Sequence, residues 1–154
     1  MSPLVLFRGF AVAEAVTWAL LLTGMALKYL TRTTELGVQV FGPVHGVVFL
    51  AYCVVAVFVA VDQRWRFGTT LAGLASAIPP LATVWFERRV IRDGRLAAGG
   101  WRLTPGGQAP ASVLERLQAW TLRRPALAVA AGVVLVAALT GAALLIGPPV
   151  PTSD

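Results

Sequence analysis

Apolar residues dominate four stretches of the chain, Leu4 to Leu27, Val38 to Val61, Phe67 to Phe86 and Pro125 to Ile146, and charged residues collect between them. A helix rising about 1.5 Å per residue needs roughly 20 apolar residues to cross a hydrocarbon core of about 30 Å. All four stretches meet that length. The pattern predicts an all-α, polytopic helical membrane protein, with a three-helix bundle domain over residues 1–92 and a fourth transmembrane helix over 125–147.

The first stretch is read as a retained helix rather than a cleaved signal peptide. Its apolar run exceeds the usual signal core of roughly 7 to 15 residues, no basic cluster precedes it, and Glu14 interrupts it. Residues 93–111 are rich in Gly and Pro and lack apolar periodicity, which predicts a flexible linker. In the segment 112–124, Ser112 and Glu115 form an S-x-x-E capping pattern. Val113, Leu117 and Trp120 recur at helical spacing, and Arg116 and Arg123 share another face. This amphipathic helix is expected in the headgroup plane with Trp101 and Trp120 as interfacial anchors, a role given also to Lys28 and Tyr29; a solvated extension of the fourth span is the alternative. A polar tail, 148–154, follows.

Composition agrees with the pattern. With 57% apolar and 13% charged residues, a soluble chain of 154 residues would lack the polar surface to cover itself. The single cysteine, Cys53, excludes an intrachain disulfide and a cysteine metal site, and the single histidine, His45, excludes a two-histidine ligand set from one chain. No cofactor and no metal is expected.

Charge sets an expected orientation. Eight arginines lie between the third and fourth stretches, against Glu87, Asp93 and Glu115, which predicts a cytoplasmic loop over 87–124 in a bacterial plasma membrane. Alternation from there places Lys28 and Arg32 inside, the loop with Asp62, Arg64 and Arg66 outside, and both termini outside; the inverse arrangement is the alternative. The net charge of +6 is then a topology signal and an attraction for anionic lipid at the basic inner loop, about 1 kcal/mol per basic residue near the surface. Nucleic acid is not expected as a partner.

Candidate chemistry resides in polar residues within the spans. A charge at membrane depth costs roughly 2.5 to 3.5 kcal/mol on insertion scales unless paired or wetted, so Arg8 and Glu14 should face protein or water. With His45 they form a candidate intramembrane polar network. Helical rise separates Glu14 and His45 by roughly 10 Å of depth, too far for direct contact. Small residues at Ala11, Ala15 and Ala19, and at Gly42 and Gly46, mark candidate helix-packing stripes. Pro79 and Pro80 remove backbone donors and predict a kink in the third span. Each has a plain structural reading: mutual neutralisation for Arg8 and Glu14, an interhelical hydrogen bond for His45, a simple bend for the prolines.

The residues Phe7-Arg8, Glu14, Leu27-Lys28-Tyr29, His45-Gly46, Trp65 and Pro79 to Thr83 leading to Glu87-Arg88 resemble a family of small bacterial integral membrane proteins marked by an HG dipeptide. The resemblance covers about Leu6 to Arg92 and implies a three-helix domain of unknown function, with Arg8, Glu14, Lys28, His45 and Gly46 as the positions to test. Ala15 departs from the glycine expected after the glutamate, and the linker and fourth helix extend past the shared domain.

Short loops, small-residue stripes and the absence of a paired nucleophile and base favour a non-enzymatic accessory or oligomer-forming subunit in a homo-oligomer or larger membrane complex. The alternative is a small transporter or channel whose proton or solute path runs between protomers past Arg8, Glu14 and His45.

Overall fold

Caps and breakers divide the chain into six α-helices among the residues described by the computed structural model, 1–96 and 99–146. Residue 147 and the polar tail expected over 148–154 lie outside the described residues. The helices are α1 (Pro3–Tyr29), α2 (Leu36–Asp62), α3 (Phe67–Ala75), α4 (Ala82–Arg92), α5 (Val113–Leu122) and α6 (Pro125–Ile146). Three of them, α1, α2 and α6, are long and apolar enough to cross a bilayer.

Ser2 caps α1 by accepting the Val5 N–H, and Pro3 occupies the first turn, where its missing donor costs nothing. α2 runs antiparallel to α1. Gly24 faces Gly37 near one end of the pair, Thr17 meets His45 further along, and Phe7 meets Tyr52 toward the other end. Pro43 lies inside α2 rather than at its start, because the helix begins at Leu36.

The third apolar stretch does not cross. Residues 76–81 are non-helical, and Leu81 sits in the left-handed region at φ 64°. The cause is local: Pro79 and Pro80 cannot donate, and the residue before a proline is pushed out of the helical region. What the sequence presents as a kink is a reversal. At about 1.5 Å per residue, the 9 residues of α3 and 11 of α4 reach roughly 14 and 17 Å, half a hydrocarbon core. Tyr52 Oη donates to the Gly73 carbonyl at 3.1 Å on the way in, and the tip receives Trp18 Nε1 on the Ala77 carbonyl at 3.1 Å. On the way out Thr83 meets Glu14 and Glu87 meets Arg8. The pair is a re-entrant hairpin that enters and leaves at one end of the bundle, packed on α1 and α2 through Phe7, Tyr52, Trp65 and Phe86, whose rings lie 5.6 to 6.2 Å apart in four pairings.

This reversal corrects the expected topology. The 62–66 loop and the 93–124 segment, expected on opposite faces, lie at the same end: Trp65 Nε1 donates to the Arg95 carbonyl at 2.7 Å, and Arg64 Nε to Glu115 Oε1 at 2.9 Å. The amino terminus is there too, with Trp101 Nε1 donating to the Met1 carbonyl at 2.8 Å. Lys28, Arg32 and Glu35 occupy the opposite end, where Lys28 Nζ lies 3.4 Å from Glu35 and 5.4 Å from the Tyr29 ring centroid.

The segment expected as a flexible linker is anchored at its described residues. Leu96 and Leu103 are buried, and Arg102 reaches over the C-terminus of α2. α5 then lays a polar face, Glu115 and Gln118, on the protein and leaves Val113, Leu114, Leu117 and Trp120 exposed; the Arg124 guanidinium stacks 5.2 Å from the Trp120 ring. α6 packs on α2 and α5 without burying any residue.

Candidate functional site

Two polar groupings stand out, one at mid-depth in the bundle and one at its basic end. At mid-depth, α1 presents Glu14, which is fully buried, to the first turn of α4. Thr83 Oγ1 lies 2.7 Å from Glu14 Oε2 and 3.0 Å from the Ala11 carbonyl. One hydroxyl proton serves one of these acceptors at a time. An ionised Glu14 takes it; a protonated Glu14 donates at Oε2 and releases the Thr83 proton to Ala11, so the pair accommodates both states. Glu14 Oε1 is buried with no hydrogen-bond partner among the described residues. The carboxyl also faces the N-terminal turn of α4, whose unpaired N–H groups carry partial positive charge.

One turn along α1, Thr17 Oγ1 donates to the Glu14 carbonyl at 2.9 Å and pairs with His45 Nδ1 at 3.0 Å. With the hydroxyl proton on the carbonyl, Nδ1 is the donor to Thr17. The Trp18 ring covers His45 at a centroid distance of 4.5 Å. Thr17 therefore bridges His45 to the backbone carbonyl of Glu14, while the Glu14 carboxyl bonds Thr83. Arg8 does not join them. It turns to Glu87 at 2.7 Å, with its side chain 54% exposed. Thr17, Trp18 and Thr83 complete the grouping. Thr83 follows the proline break, and this signal places it at a helix start, but its partner Glu14 is 69 residues away in sequence.

The helix-packing candidates divide. Ala11 and Ala15 are buried, whereas Ala19 is exposed. A Cβ added at Gly42 or Gly46 would meet nothing within 4 Å, so the G-x-x-x-G stripe is not an internal contact. The close approach is Gly24 against Gly37, where an added Cβ would lie 2.7 or 2.6 Å from the partner backbone. Their spacing belongs to no repeat, so periodicity does not reveal it.

At the basic end, Asp62, fully buried, accepts the backbone N–H groups of Arg102 at 3.2 Å and Leu103 at 3.3 Å. Arg102 donates to the carbonyls of Val61 and Asp62 and to Glu115 Oε1 at 2.7 Å. Cationic donors at a helix C-terminus satisfy its orphan carbonyls and its negative dipole end. Ser112 caps α5 by accepting the Glu115 N–H at 3.2 Å; Glu115 in turn accepts from Ala111 at 2.6 Å rather than from Ser112, so the reciprocal half of the capping box is displaced by one residue. The Arg64 guanidinium, the Ala111 N–H and Arg102 hold the Glu115 carboxyl down at about 2. Trp101 packs edge-on against Phe58 at 5.3 Å, a contact with the protein itself.

Among the described residues no three His, Cys, Asp or Glu side chains are grouped to hold a metal. No solved structure matches the chain. Over 91 residues it is 50% identical to a Streptomyces coelicolor protein whose name describes a membrane protein; the match is 58% of this chain and only 11% of that protein's length. A domain of unknown function, DUF3817, matches residues 4–92, the part holding α1 to α4 and the Glu14 grouping. With more than half of its length matched, the chain belongs to the DUF3817 family, a multi-helix membrane family of unknown function.

Proposed function

We propose that the protein is a non-enzymatic accessory subunit that docks its α1–α4 domain onto a larger membrane protein. The carrying observation is the half-height hairpin. α3 and α4 reach α1 as far as Trp18; beyond the tip Ala19 is exposed, and a Cβ added at Gly42 or Gly46 would meet nothing within 4 Å among the described residues. A strip of small residues at membrane depth, with nothing packed on it, suits the close approach of another helix. The recurrence of this domain as 11% of a much longer membrane protein supports the same reading, and the His45-Gly46 dipeptide lies at the edge of the uncovered strip. The basic end faces the cytoplasm in this reading: 11 of the 13 Lys and Arg residues lie there, Lys28 and Arg32 being the other two. The amino terminus is then inside and α6 runs outward. The test is the native mass of the protein purified gently from its host, with co-purifying proteins identified. A defined complex with a larger membrane protein is expected; a lone monomer or homo-oligomer overturns the proposal.

A second reading, a proton or solute path between protomers, rests on Glu14 Oε1, buried without a partner beside a broken helix. It requires that Glu14→Gln abolish flux in proteoliposomes while leaving native mass unchanged.

A further inference from the structure

The two arms of the re-entrant hairpin do not close on each other. They come together at Gly73, where an added Cβ would lie 3.0 Å from the Phe86 ring, and splay on the opposite side into a groove of about 650 Å³. That size falls within the roughly 300–1,000 Å³ of ligand pockets. Its walls at hydrocarbon depth are Ala72 and Ala75 from α3 and Trp85 from α4. Its mouth, at the basic end, carries Arg66, Arg89 and Arg95 against one acid, Asp93, an excess of two positive charges.

The arginines at the mouth keep donors that their protein partners do not take up. Arg95 is fixed by donating to Thr69 Oγ1 at 2.7 Å across the groove mouth, and Arg89 stacks 5.4 Å from the Trp85 ring. Asp93 lies between them at 3.7 and 3.9 Å, distances of loose ion pairs that leave both guanidinium groups with spare donors. Arg66, at the N-cap of α3, is exposed and has no ion pair among the described residues.

We propose that this groove is a binding site for a single anionic phospholipid, its phosphate held by Arg66, Arg89 and Arg95 and one acyl chain lying between α3 and α4 against Ala72, Ala75 and Trp85. The assignment rests on charge at the mouth, apolar lining behind it, and alignment along the bilayer normal, since both arms enter from the basic end. Arginine forks match phosphate oxygens two at a time. The site is independent of any protein partner, so it stands or falls apart from the accessory role.

The test uses the full chain in nanodiscs of phosphatidylglycerol and phosphatidylcholine in equal amounts, followed by gentle release into detergent and native mass spectrometry. One retained phosphatidylglycerol per chain is expected, in preference to phosphatidylcholine. Arg66→Gln and Arg89→Gln should each lower retention roughly five-fold, as loss of one basic contact near the surface implies. Ala75→Leu, which fills the groove and keeps every charge, should lower it as well. Equal retention of the two lipids by the unaltered protein overturns the proposal without recourse to any variant. So does a preference for phosphatidylglycerol that survives Ala75→Leu, which would assign the lipid to the general basic surface.

Discussion

Thr83 places its hydroxyl 2.7 Å from Glu14, and this bond ties the first turn of α4 to the middle of α1 at the depth where the hairpin turns back. Thr83 is hydrogen-bonded to Glu14 Oε2, and Oε1 has no hydrogen-bond partner among the described residues. Thr83→Val keeps the shape and removes the hydroxyl. Leaving a buried polar group unsatisfied costs about 1–3 kcal/mol, and that loss is expected in reversible unfolding from mixed micelles. A cycle with Glu14→Gln should show a coupling above about 0.5 kcal/mol; additivity of the two changes would mean that the bond contributes nothing.

The antiparallel pair α1–α2 depends on Gly24 and Gly37, whose backbones leave no room for a methyl group. Gly24→Ala and Gly37→Ala force the helices apart, and overpacking of this kind costs about 1–3 kcal/mol. Gly42→Ala and Gly46→Ala meet open space and should raise the unfolding free energy of the isolated chain by roughly 0.5–1 kcal/mol, the preference of a helix interior for Ala over Gly. Equal losses at all four positions would mean that the Gly24–Gly37 contact does not set that pair apart, since helix propensity alone predicts gains.

Glu115 makes the basic end sensitive to acid. Its carboxyl ordinarily titrates at 4.5 and is held down at about 2 in the folded protein, so it contributes stability above about 4.5 that is lost as pH falls from 4.5 toward 2. Hydrogen exchange in residues 99–122 should rise across that window before α1 and α2 respond. Glu115→Gln should remove the step. Arg102→Met, which strips both Glu115 and the α2 carbonyls of a largely buried donor, should loosen the same segment at neutral pH by about 3 kcal/mol.

Much of this fold is legible in residue order. The spans of α1, α2 and α6 follow from apolar length alone, Ser112 marks the start of α5, and burial of Glu14 follows from the cost of a charge at depth. The hairpin is not legible in that way. Hydropathy over 67–86 is the same for a crossing helix and for two half-helices, and Pro79 and Pro80 are compatible with either a bend or a reversal. What decides is tertiary: Trp18 takes the freed Ala77 carbonyl and Thr83 takes Glu14, contacts between residues 59 and 69 positions apart. The pairing of Arg8 is hidden for the same reason. Proximity in sequence favours Glu14, yet Arg8 lies nearer the basic end, where α4 brings back Glu87.

The hairpin reverses one consequence of simple alternation, and this is directly measurable. If residues 67–86 crossed the membrane, position 66 and position 99 would lie on opposite faces. Because α3 and α4 return to the end they left, the Arg66 and Gly99 positions share a face, and Thr33 lies on the other. In a Cys53→Ser background, Arg66→Cys and Gly99→Cys should react together with a membrane-impermeant thiol reagent, and Thr33→Cys should react from the opposite side. With the basic end cytoplasmic, intact cells should label Thr33→Cys alone, and inverted vesicles the other two. Labelling of Arg66→Cys and Thr33→Cys from opposite sides follows in either arrangement, since α2 separates them. The deciding position is therefore Gly99: its labelling with Thr33 rather than with Arg66 would restore a crossing third span and remove the hairpin.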